Sequence, residues 1–170
     1  VLHLYSATHL WPQVEPLARL LGAEVSLLAD VSGDDPFDEA CSTVWPRLAE
    51  LLSQRLGQPV LLPDASVAVT VELRGEADVS HDLAAADAEA LIEYLAVLGF
   101  VDRVPVPLPA LKRGPTPLAG SMPVVVPHGG VVVFLREPGT AVTRGEHIAD
   151  LVDPLAGGVT RLESPVDGVL

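Results

Sequence analysis

The sequence predicts an α/β layer on a mostly parallel sheet, followed by a small all-β module. Three observations carry that prediction. Up to about residue 101, short β-branched runs alternate with segments of helical period, the pattern of βαβ units. Residues 101–120, VDRVPVPLPALKRGPTPLAG, hold five prolines and show no period. Beyond them no helical pattern returns, and Val-rich runs are punctuated by Gly and Pro. The expected organisation is an α/β domain over 1–101, an extended Pro-rich connector over 102–120 and an all-β module over 121–170.

Taken in order, VLHLY (1–5) reads as a strand and PQVEPLARLLG (12–22) as a short helix ended by Gly22. AEVSLLAD (23–30) is a second strand. In SGDDPFDEACSTVWPRLAELLSQRLG (32–57), Asp35 is the expected N-cap and Pro36 takes the first helical position. Asp38 and Glu39 follow in the first turn, where the helix dipole favours negative charge. Pro46 has no N–H to donate, so this helix is expected to kink or break just before it. The run Val67-Ala68-Val69-Thr70-Val71 is almost continuously apolar, which suits a central strand covered on both faces. SHDLAAADAEALIEYLAVLGF (80–100) is Ala-rich, with Leu91, Ile92, Leu95 and Leu98 at helical spacing and His81 in its N-terminal cap.

Within the β-module, PHGGVVV (127–133) and SPVDGVL (164–170) share the pattern P-x-x-G-V. Between them, EPGTAVTRGEHIADLVDP (137–154) has the G-x-x-V-x-x-G-x-x-I spacing of domains that resemble the barrel-sandwich fold of biotinyl and lipoyl carriers. A carrier needs a lysine for its prosthetic group, and residues 113–170 contain none, so a swinging arm is not expected here.

Charge and cysteine content exclude several classes. The chain has 170 residues and a formal charge of −13. Lys112 is its single lysine, so no basic face exists to hold a phosphate backbone, and nucleic acid is not an expected partner. Cys41 stands alone, which excludes an intrachain disulfide and a Cys-based structural zinc site. No apolar run of transmembrane length and no signal peptide is visible, so the expectation is a cytoplasmic protein without a membrane partner. A homo-oligomer is compatible with these features. The chain begins inside an apolar run and ends at a strand start, as a piece of a longer protein would.

Glu72 is the candidate for chemistry. It closes the apolar run and precedes Gly75, at the carboxyl end of a strand, where open α/β sheets bind ligands. It reads equally as a solvated carboxylate paired with Arg74 or capping a loop. Arg74, two residues on, points to the same side of the strand and can fork onto a substrate carboxylate, or pair with Glu76 or Asp78.

The segments SGDDPFDEA and VTVELRGEADVS, with the Pro-rich joint and the Lys-free β-tail, resemble the C-terminal two-thirds of the succinylglutamate desuccinylase/aspartoacylase family, relatives of the zinc carboxypeptidases. The resemblance covers nearly the whole chain. It implies a zinc-carboxypeptidase-like sheet, one zinc ion, and a Glu at a strand end acting as general base, which Glu72 matches. It implies that His3 is a zinc ligand, since HLYS (3–6) is similar to the His-x-Tyr-Ser stretch following a strand in zinc carboxypeptidases. Some members instead carry that ligand about ten residues before an H-L-Y, which would make His3 a pocket or core histidine. The remaining ligands, an H-x-x-E pair, are expected before Val1. His9 reads as a surface histidine, and His128 and His147 lie on Gly-flanked turns of the β-module. The implied activity is a zinc-dependent hydrolysis of a linear amide, removing the acyl group of a small N-acylated amino acid or amine. The alternative is a non-catalytic small-molecule-binding module, a metal-free paralogue of the enzyme.

Overall fold

Strict alternation organises the first strand. In β1 (Leu2–Tyr5), Leu2 and Leu4 are 0% exposed, while His3 and Tyr5 on the opposite face stay half-buried. The computed structural model describes residues 1–32 and 36–170. They divide into Val1–Gly120 and Ser121–Leu170, each with its own core.

The first unit continues with α1 (Trp11–Leu20), β2 (Ser26–Ala29), α2 (Phe37–Leu56), β3 (Thr70–Val71), α3 (His81–Val97) and β4 (Thr116–Pro117). The sheet order is β3-β1-β2-β4; β1/β2 and β2/β4 pair in parallel, and β3 runs antiparallel to β1. Leu2 and Leu4 pack on Val14, Leu17 and Ala18 of α1, with Tyr94 of α3 against the same cluster. The Tyr94 hydroxyl donates to the Gln13 carbonyl at 2.9 Å, which ties α3 to α1.

Five readings of the sequence change here. Among the described residues the run ending at Val71 is neither central nor long: β3 is a two-residue strand at one edge of the sheet, and Val67, Ala68 and Val69 are half-buried. A continuous apolar run cannot by itself tell an edge from a centre. Second, α2 runs through Pro46 without a break. Pro46 itself is exposed, and the one backbone bond it cannot donate is lost without ending the helix. Third, Pro36 is the N-cap of α2 and not its first helical residue, so the helix starts one residue later than expected, at Phe37; the expected cap Asp35 falls outside the described residues. Fourth, the Leu91, Ile92, Leu95 and Leu98 stripe of α3 is exposed, and Ala90, Glu93 and Ala96 are buried in its place. Glu93 is held by Arg103 at 2.6 Å and accepts from the Val106 N–H at 3.1 Å. Fifth, residues 102–120 are not a free connector. Lys112 pairs with Glu24, Arg19 donates to the Pro109 carbonyl at 3.2 Å, and Thr116–Pro117 joins the sheet as β4. Pro is tolerated there because β4 is an edge strand.

The other helix termini follow their sequence signals. Ser80 Oγ accepts from the Leu83 N–H at 3.2 Å and caps α3, with His81 as its first residue. Gly57 ends α2 at φ +64°, a left-handed conformation that glycine adopts without a Cβ penalty.

The second unit contains β5 (Val131–Phe134), β6 (Ala141–Val142), β7 (His147–Val152), β8 (Val159–Glu163) and β9 (Gly168–Val169). They form antiparallel sheets β5-β7-β8 and β6-β9. Val132 packs on Ala149, Leu151 and Leu162, and the spaced Val142 and Ile148 are buried as well. Both P-x-x-G-V segments lead into strands, β5 and β9. Gly130 is required at the first of them: a Cβ there would stand 2.7 Å from the Val152 carbonyl oxygen.

Candidate active site

The pairing of β1 with β3 builds the site. His3 lies opposite Thr70, and the Glu72 N–H continues the ladder to the Val1 carbonyl at 2.9 Å. Paired residues and their second neighbours share a face, so His3, Tyr5, Thr70 and Glu72 all rise on the side away from Leu2 and Leu4. This follows from register alone.

On that face, His3 Nδ1 and the Tyr5 hydroxyl are hydrogen-bonded at 2.7 Å. His3 Nε2 is buried, has no hydrogen-bond partner, and lies 3.4 Å from Glu72 Oε1. That separation is within ion-pair reach but outside a good hydrogen bond. The two side chains differ sharply in solvation: His3 is 13% exposed and Glu72 64%. Within this chain Glu72 is thus a carboxylate at the rim of the sheet, beside a sheltered imidazole.

The first turn of α2 closes the same face. Asp38 is buried; its Oδ2 accepts from Thr70 Oγ1 at 2.8 Å and its Oδ1 from the Glu39 N–H at 2.9 Å. Burial, followed by the negative charges of Asp38 and Glu72, pushes the Tyr5 phenol above its usual range. Tyr5 therefore keeps its proton. Glu39, also buried, accepts from the Ser32 N–H at 3.0 Å and from the Ser32 hydroxyl, which hold its carboxyl below the usual range.

Arg74 has a partner that the sequence did not suggest. Its Nη1 and Nη2 donate to Asp87 Oδ2 and Oδ1 at 2.7 and 2.9 Å, a bidentate pair joining the segment after β3 to α3. The pair raises the guanidinium pKa and lowers that of the Asp87 carboxyl. Neither Glu76 nor Asp78 takes the fork; Asp78 instead accepts from the Gly75 N–H at 3.2 Å.

Three other imidazoles, those of His9, His128 and His147, have partners of their own. His9 Nε2 meets Asp64 Oδ2 at 2.7 Å on the surface. His128 contacts the Gly129 carbonyl and Thr160 Oγ1, and His147 pairs with Asp150 at 2.7 Å. Among the described residues, no three His, Cys, Asp or Glu side chains gather closely enough to hold a metal ion. His3 nevertheless fits one ligand position. One ring nitrogen is fixed by Tyr5, while the other is sheltered, unpartnered and turned to a carboxylate, as in a metal-binding histidine with its outer hydrogen bond in place.

The sequence singled out His3, Glu72 and Arg74 as candidates; the structure adds Tyr5, Asp38, Thr70 and Asp87 as their neighbours. Tyr5 could have been found, since residues two apart on a strand share a face. Asp38 and Asp87 could not, because their roles depend on where α2 and α3 dock.

Protein-family models give no match to this chain, and neither do curated proteins. Solved structures do match. A succinylglutamate desuccinylase/aspartoacylase family protein from Shewanella amazonensis aligns at 25% identity with a TM-score of 0.75, covering 99% of this chain and 44% of that one. A second, from Shewanella frigidimarina, aligns at 20% identity with a TM-score of 0.72, over 98% of this chain and 43% of the other. The ectoine utilization protein EutE from Ruegeria pomeroyi, in its product-bound structure, shares the fold at 15% identity and a TM-score of 0.61, over 99% and 46% of the two chains. The chain thus has a mixed α/β desuccinylase/aspartoacylase fold and spans less than half the length of the structures it matches. No described helix is long and apolar enough to cross a membrane.

Proposed function

We propose that this chain contributes the general base and one metal ligand to a zinc-dependent amidohydrolase that removes the acyl group of a small N-acylated amino acid or similar amine. One observation carries the reading: the rim carboxylate of Glu72 stands 3.4 Å from the sheltered, unpartnered Nε2 of His3, in a fold shared with desuccinylase/aspartoacylase proteins.

His3 would hold the zinc through Nε2. Zinc, when bound, acidifies water and polarises the scissile carbonyl. Glu72 accepts the proton of the attacking water and returns it to the amine nitrogen as the C–N bond breaks. Its exposure suits this part, because the proton must reach both water and leaving group. Thr70 and Asp38 brace the strand end behind it. Arg74 reads a substrate carboxylate only by exchanging Asp87 for it, so its main part is to hold the segment after β3 against α3. A catalytic zinc takes three protein ligands, so this reading needs two more besides His3, the H-x-x-E pair expected before Val1.

The second reading is a small-molecule-binding module without metal. Glu72→Gln decides between them. The enzyme reading expects zinc content and folding close to wild type and a rate on N-acyl amino acids lower by at least ~10²-fold. An unchanged rate removes Glu72 from the mechanism, and a wild-type protein that neither binds zinc nor hydrolyses such amides establishes the binding module.

A further inference from the structure

The Tyr5 hydroxyl is the only group in hydrogen-bond contact with the His3 ring among the described residues, at 2.7 Å from Nδ1. A phenol can donate a hydrogen bond or accept one. A carboxylate or a backbone carbonyl in its place could only accept, and would lock Nδ1 as the protonated nitrogen. The surroundings of Nε2 make that difference matter. Beside the Glu72 carboxylate at 3.4 Å, a protonated Nε2 is attracted and a bare lone pair is repelled. Toward a cation in the same place the preference reverses.

We propose that Tyr5 is a positioning residue that turns the His3 imidazole toward Glu72 and lets it change tautomer when a cation arrives. In the free protein the Tyr5 O–H donates to Nδ1, and Nε2–H faces Glu72. With a divalent cation bound, the Tyr5 O–H turns away, Nδ1–H donates to its oxygen, and Nε2 presents its lone pair. No net charge moves: the ring gives up one N–H and gains the other. The side chains facing this pair include Asp38 and Glu72, both acidic; the Val1 ammonium lies beside Glu72 but donates to its backbone carbonyl, at 2.9 Å. The second half of the inference rests on His3 being a ligand, and the first half does not.

Nitrogen-15 NMR of the histidine-labelled protein separates the halves. Without metal, wild type should show His3 as the Nε2–H tautomer, and Tyr5→Phe should show a mixture with altered ring shifts while its circular dichroism stays native. A wild-type Nδ1–H tautomer, or a Tyr5→Phe spectrum identical to wild type, overturns the positioning role. Titration with zinc alone should convert wild-type His3 to Nδ1–H, with an affinity ~10- to 100-fold weaker in Tyr5→Phe. Zinc that binds without changing the His3 signals overturns the switch and removes His3 as a ligand, while the metal-free tautomer result stands on its own. The wild-type spectrum needs no variant, so a Tyr5→Phe protein that fails to fold leaves the test intact.

Discussion

The two faces of β1 are made by the same four residues and do opposite work. Leu2 and Leu4 are wholly buried against α1, where only shape and apolar area matter. His3 and Tyr5 look the other way into a pocket wall of hydroxyls and carboxylates from β3 and α2. The difference teaches how a short strand supports chemistry. Period-two alternation anchors it on one face, and the fixed register of its partner brings a carboxylate beside an imidazole on the other.

Changes to the two faces should separate stability from activity. The largest effect is expected on the apolar side. Leu4→Ala removes fully buried methyl groups and should destabilise the fold by about 2–5 kcal/mol, read by denaturant unfolding. A loss well under 1 kcal/mol would mean that this face is not the anchor. The next effect crosses the divide, because Asp38 belongs to the polar side but is buried. Asp38→Ala strands the Thr70 hydroxyl and the Glu39 N–H, and should cost about 1–3 kcal/mol. It should also loosen the strand end that carries Glu72, so activity should fall further than stability alone explains.

Away from both faces, Asp87→Ala should lower the unfolding temperature less than either change, since its pair with Arg74 lies near the surface. The same pair gives a pH signature. Asp87 has a lower pKa folded than unfolded, so its contribution is present above the unfolded value and lost as pH falls through the folded one. Wild type should therefore lose more stability than Asp87→Ala between neutral and acid pH, by thermal scans. Equal losses would show that the fork contributes nothing.

Much of the first unit was legible because its signals are local. The β1 alternation, the acidic first turn of α2, its Gly57 end and the Ser80 cap each depend on residues a few positions apart. Glu72 stood out because a charge interrupts an apolar run. What the sequence hid are matters of docking. β3 lies at an edge because, among the described residues, only β1 pairs with it. In α3 the face toward the rest of this unit is Ala90, Glu93 and Ala96, with Glu93 paired to Arg103, and the Leu/Ile stripe is left exposed in this chain. The fork of Arg74 finds Asp87 across thirteen residues of chain. No local pattern encodes such choices. The Pro-rich 102–120 stretch misled for a related reason: proline excludes a helix but permits an edge strand such as β4.

The account stands on His3 Nε2 being a metal ligand beside Glu72. Metal content of His3→Ala in the whole protein, measured after extensive dialysis against wild type, tests that directly. The account predicts a folded protein with its zinc lost, since removing one of three protein ligands greatly weakens binding. Stoichiometric zinc retained by His3→Ala would contradict it.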